Sequence, residues 1–238
     1  MQTIIKFIVL LLVITSTTSC VLTGKKGNSQ VTTVERTPNN SFDGIKVSQG
    51  INLILTQGNE EKISVETDEN LQEILITKVN NNNVLEVYFD QNIRKATSKN
   101  VYVTAKNINL LSTSSGAIIT SEDVIKTETI QLKTSSGSSI RVEIVSNEVI
   151  SSSSSGSSIK IIGQTKLFTA KASSGSTIKA NRLEATEVEA KASSGASVEV
   201  NATYALVAAA SSGGSINYEG TPKRLVKNTS SGGSIYKN

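Results

Sequence analysis

The chain has 238 residues, with 24 Lys and Arg against 20 Asp and Glu, and a formal net charge of +4. It holds no His and one Cys, which excludes His-dependent triads, His metal sites, intrachain disulfides and zinc-thiolate clusters. No dense run of Lys or Arg gives the electrostatic footprint of nucleic-acid binding, and 4% aromatics with 37% hydrophobics imply a thin aliphatic core suited to a repetitive stack.

Residues 4–14 (IIKFIVLLLVI) form an apolar run interrupted only by Lys6. A membrane-spanning helix needs roughly 20 apolar residues, so the run fits the hydrophobic region of a signal peptide. Small residues then lead to Cys20, an arrangement that resembles a bacterial lipoprotein signal. On that reading residues 1–19 are removed, Cys20 carries the lipid, and the acyl chains hold the protein on a membrane at about 0.8 kcal/mol per buried CH2. The alternative is an incidental thiol near an ordinary cleavage site. Residues 20–40 lack a sustained apolar period and are expected to be a polar tether.

From residue 41 the chain is β-rich. INLILT (51–56), KISVET (62–67), VLEVYF (84–89) and NVYVTA (100–105) alternate apolar and polar residues, with turn signals at 57–59 and 80–83. LQEILITKV (71–79) fits a strand or a short helix. The segment is expected to form irregular coils that cap the N-terminal end of a regular stack.

That stack is written as a repeat. Ser-Ser-Gly recurs seven times, with its glycine at 116, 137, 156, 175, 195, 213 and 232, a period of about nineteen residues. An aliphatic residue stands three positions after every glycine: Ile119, Ile140, Ile159, Ile178, Val198, Ile216 and Ile235. Positions −7, −5 and −3 are mostly apolar or small and share its parity, which is the period of strands with one face inward. The same parity passes through −1 (always Ser) and +1 (Ala, Ser or Gly), so both are expected to fill a narrow interior. The fold expected is all-β: a parallel β-solenoid, or β-helix, over residues 41–238, with coils stacked about 4.8 Å apart.

Phe42-Asp43-Gly44-Ile45-Lys46-Val47, then Gly50-Ile51-Asn52-Leu53-Ile54-Leu55, resemble the opening of the head GIN domain family, often labelled putative autotransporter adhesins. KISVETDENLQEILITKVNNNNVLEVYF and the Ser-Ser-Gly coils continue the likeness over roughly residues 41–238. The resemblance implies an all-β superhelical fold on an exported, often lipid-anchored protein of Bacteroidetes-like bacteria. It carries no catalytic residues. The sequence stops at Tyr236-Lys237-Asn238 just after the seventh coil, so a membrane β-barrel for self-export is not expected.

Chemistry in the repeats is sparse. Asp occurs only at 43, 68, 90 and 123, and the later glutamates share no fixed position relative to the glycines. Glu187 and Glu189 lie on one strand face, which ordinarily means solvation. A retaining glycosidase needs two carboxyls about 5–5.5 Å apart across a cleft. No catalysis, cofactor or metal is therefore expected. The −2 serines (Ser114, Ser135, Ser154, Ser173, Ser193, Ser211 and Ser230) form a candidate ligand face, a hydroxyl ladder able to bind sugars or order water. The bland alternative makes −1 an interior filler bonded up and down the stack and −2 a solvated corner. The expectation is a lipid-anchored outer-membrane module binding glycan or matrix surfaces. A periplasm-facing module binding envelope polysaccharide or protein is the second reading, and a β-helix carbohydrate enzyme the third. Which side of the membrane it faces stays open. Lys227 and Lys237 stand at inward parity in the last coil, where they discourage further stacking; otherwise two chains could pair end to end.

Overall fold

The structure is a computed structural model that describes residues 23–238. The expected signal peptide and Cys20 lie outside the described residues. The first strands are β1 (Lys25–Lys26), β2 (Val31–Arg36), β3 (Gly44–Val47), β4 (Asn52–Gln57) and β5 (Lys62–Asp68). A 3-10 turn at Glu69–Leu71 leads to β6 (Leu75–Val79), so 71–79 is mostly strand. Then come β7 (Val84–Phe89), β8 (Ile93–Lys95), β9 (Lys99–Ala105) and β10 (Leu110–Thr113). The repeats supply the long strands β11 (Ile118–Thr134), β12 (Ser139–Ser153), β13 (Ser158–Ala172), β14 (Thr177–Ala192) and β15 (Ser197–Ala210). The final coils hold the shorter strands β16 (Ser215–Glu219), β17 (Arg224–Thr229) and β18 (Ser234–Lys237).

From β10 onward each coil stacks on the next in parallel register, like residue over like: Ile119 over Ile140, Ile140 over Ile159, Ile159 over Ile178. This is the β-solenoid that the period implies. The aliphatic residues at +3 in every coil but the last, and those at −7 and −5 in most coils, are buried in one continuous core that runs from Phe42 to Tyr218. Coil length varies because the far bend of each coil absorbs insertions. Ser121, Glu122 and Asp123 face the single residue Val142, and Ala180-Asn181 faces Ile161. The Ser-Ser-Gly end never changes length.

The N-terminal part is stacked out of chain order. β3 and β4 lie between the coil of β10 and β11 on one side and that of β7 and β9 on the other. Antiparallel strands close the end: β5 on β9, β2 on β5, and β6 on β7. Residues 25–36, expected within the tether, are thus strands of this cap, with β1 on β8 and β2 on β5. They escaped the pattern because β2 is an edge strand with Val31 and Val34 exposed; backbone bonding holds it, and no apolar face marks it.

Candidate functional site

Every Ser-Ser-Gly is a two-residue turn. The −1 serine has φ between 49° and 54° and the glycine φ between 67° and 75°. Positive φ at both central residues defines a type I′ turn. The +1 N–H closes it by donating to the −2 carbonyl at 2.8–3.3 Å. Glycine takes this conformation without strain, while serine is strained by its Cβ. The turns are also laced to one another, each glycine N–H donating to the −1 carbonyl of the next coil, from Gly116 to Ser136 through Gly213 to Ser231.

This geometry corrects the expectation for −1. Ser115, Ser136, Ser155, Ser174, Ser194, Ser212 and Ser231 are all exposed at the turn apex. Alternation along a strand puts −1 inward only if the strand runs straight, and the left-handed turn swings it out. The interior filling belongs to −3 and +1, which meet across adjacent coils. Thr113 Oγ1 bonds Ser138 Oγ at 2.9 Å, Ser157 Oγ bonds Thr134 Oγ1 at 2.9 Å, and Ser176 Oγ donates to the Ser153 carbonyl at 2.8 Å. Ala172 and Ala196 occupy the next such pair, and then Ala192 with Gly214 and Ala210 with Gly233. Hydroxyl side chains thus hydrogen-bond across the earlier coils, to a hydroxyl or a carbonyl, and apolar small residues meet in the later ones.

The −2 serines stand at the first position of each turn, beside the exposed apex. Ser114, Ser135, Ser154, Ser173, Ser193 and Ser211 are half-buried and Ser230 is exposed. They line one side of the turn ridge, and among the described residues no protein hydrogen bond engages their hydroxyls. With the −1 hydroxyls they make a continuous polar ridge.

One copy of this turn escaped the repeat. Ser48-Gln49-Gly50-Ile51 has Gln49 at φ 59° and Gly50 at φ 66°, and Gly50 N–H donates to Ser115 O at 2.9 Å. Val47 stacks on Thr113 and Leu53 on Ile119, so this is the same turn in the same column. Gln49 stands where the repeats have serine, and its longer side chain reaches the neighbouring coil: its Oε1 accepts the Phe89 N–H at 2.6 Å.

The far bends carry a second feature. An open groove of about 1100 Å³ crosses successive coils there, lined by Asn109, Lys126, Asn147, Gln164, Lys166 and Glu184 among others. Its charges are mixed. No group of three or more Asp, Glu or Cys placed to hold a metal occurs among the described residues. Glu189 is engaged by Lys191 at 2.6 Å, a hydrogen bond that holds its carboxyl below the ordinary range, so the Glu187–Glu189 pair is not a free acid couple.

The sequence pattern described as "Putative auto-transporter adhesin, head GIN domain" matches residues 41–222. The chain belongs to this family. Its literal Gly50-Ile51-Asn52 is the glycine of the first turn with the two residues after it. The same fold is seen in a "putative adhesin" from Bacteroides fragilis, with TM-score 0.84 and 18% identity over 90% of this chain and 100% of that one. A "putative lipid binding protein" from Parabacteroides distasonis gives TM-score 0.73 and 20% identity, covering 90% and 99%. A "putative adhesin" from Parabacteroides merdae gives 0.67 and 18%, covering 90% and 98%. Among curated proteins nothing matches this head GIN domain chain.

Proposed function

We propose that this protein is a non-catalytic, lipid-anchored module of the cell envelope that adheres to glycan or matrix surfaces. The observation that carries the reading is the Ser-Ser-Gly ridge: one exposed turn, repeated in register along a rigid stack, offers the same hydroxyl groups many times over. Such a surface suits a repetitive partner bound by many weak contacts, where affinity grows with the number of coils engaged. The family and its adhesin-named relatives support it. Cys20 is the attachment point of the lipid in this reading.

Two measurements test it. Protease applied to intact cells should clip the solenoid as it does in lysed cells; protection until lysis would overturn surface adhesion in favour of a periplasmic partner. Binding to a glycan array should survive any single −2 serine replacement and fall when Ser154, Ser173 and Ser193 are replaced together. Loss of all binding on replacing one serine would point instead to a localised site.

A further inference from the structure

The basic residues of the repeats look scattered in the sequence, but stacking collects them. Arg141, Lys160 and Lys179 stand four residues after their turn glycines and are Cα partners in adjacent coils. Lys133, Lys171 and Lys191 stand four residues before, in one column interrupted by Ser152. All six side chains are exposed. Within four residues of the seven turn glycines there are six cations and one carboxylate, Glu199. Two positions further out stand four carboxylates, Glu122, Glu143 and Glu219 after a glycine and Glu189 before one. Lys191 is paired with Glu189, and among the described residues no carboxylate lies within 4.0 Å of the other five cations. Two cation columns therefore run on either side of the hydroxyl ridge. Coils about 4.8 Å apart hold like charges side by side, a repulsion that a bound anion relieves.

We infer that the Ser-Ser-Gly ridge between Lys133 and Lys191 binds a linear acidic polysaccharide laid along the stack. The inference rests on the glycan reading above and narrows it to one polymer class and one face. Three observations choose this occupant. The columns give charge complementarity to a regularly charged chain. The hydroxyls at −2 and −1 between them, with Ser139, Ser158 and Thr177 at +2, supply the partners that sugar hydroxyls and ring oxygens need. The strip around these cations has no aromatic side chain for stacking the bases of a single-stranded nucleic acid, and its aliphatic residues at +3 point into the core, leaving nothing to insert into a membrane.

The test measures binding of the purified chain to a linear polyuronate, to the same polymer with its carboxyls reduced to alcohols, and to duplex DNA. The comparison variant is Arg141→Ala/Lys160→Ala/Lys179→Ala, and the control is Lys126→Ala/Lys166→Ala in the groove. All five positions are exposed, and an unchanged melting midpoint verifies the fold. The expected result is binding to the polyuronate alone, weakened about tenfold or more by the ridge variant and by raised salt, with the groove control unaffected. Equal binding to the reduced polymer, with the ridge variant unimpaired, would overturn the acidic-ridge assignment and leave glycan adhesion standing. Equal binding to DNA would show bare charge attraction and overturn the polysaccharide assignment. Failure to bind either polymer while array glycans still bind defeats the inference alone; failure on every glycan defeats both.

Discussion

At the scale of single residues, two adjacent glycines serve opposite ends. Gly213 has φ 72° and nothing within 4 Å of where a Cβ would stand, so its requirement is purely conformational. Gly214 has ordinary backbone, but a Cβ there would sit 2.5 Å from the Ala192 carbonyl oxygen. Gly213→Ala is expected to cost about 1 kcal/mol of left-handed strain. Gly214→Ala forces two coils apart and is expected to cost about 2–3 kcal/mol, in the range of overpacked cores. Urea midpoints separate them, and an equal or milder loss at Gly214 would show that the stack yields there. The turn glycines were legible in the sequence because they recur at a fixed period. The role of Gly214 was not: it depends on Ala192 one coil away, and a partner across the stack leaves no mark on local alternation. The outward −1 serines were misplaced for a related reason, since counting by twos carries no information about a left-handed pair of residues.

At the scale of elements, the N-terminal cap is held by a buried carboxylate. Asp68, at the end of β5, accepts hydrogen bonds from Ser29 N at 2.7 Å, Thr97 N at 2.6 Å and Thr97 Oγ1 at 3.0 Å. It thereby ties the segment before β2 to the loop before β9. Gly27 lies so close that a Cβ would stand 2.4 Å from the carboxyl carbon. Burial alone would raise the pKa of this carboxyl; the hydrogen bonds from Thr97, Ser29 and Ser98 outweigh it and hold the group below its usual value. A folded pKa below the unfolded one means that the stabilisation is complete above the unfolded value and is lost as pH falls through the folded one. Cap stability should therefore be level from neutral pH down to about 5 and decline below about 4. Asp68→Asn should cost about 2 kcal/mol at neutral pH, the worth of charge-assisted bonds. It should also flatten the acid limb of the melting curve; an unchanged acid limb would assign the decline to other carboxylates. β5 and β9 were visible as alternating runs, whereas β2, the antiparallel pairings and the stacking out of chain order were not. Pairing partners far apart in sequence share no pattern with each other. The first turn was hidden likewise, because Gln49 breaks the Ser-Ser-Gly pattern and Gly50 stands 66 residues before Gly116.

At the scale of the whole molecule, the two ends of the stack differ. The cap covers the coil of β7 and β9, while β17 and β18 each pair with a strand on one side only, β15 and β16. The aliphatic columns show the consequence. Leu206 is 1% exposed and its neighbour Leu225 is 42% exposed; Ile216 is fully buried and Ile235 only partly so. Lys227, expected to oppose stacking, lies with its ammonium 4.5 Å from the Tyr218 ring centroid, covering part of the core's edge. In a stack whose stability is a sum over neighbours, a coil with one neighbour opens first. Amide exchange should therefore be fast in Arg224–Thr229 and Ser234–Lys237, slow in the middle coils, and slow again in β3 and β4 beneath the cap. Asp68→Asn should loosen the cap's own strands, β2 and β5, without speeding exchange in the middle coils. Protection of β17 and β18 equal to that of β13 would contradict this gradient. If that protection also faded on dilution, the missing neighbour would be a second chain stacked end to end on the open edge.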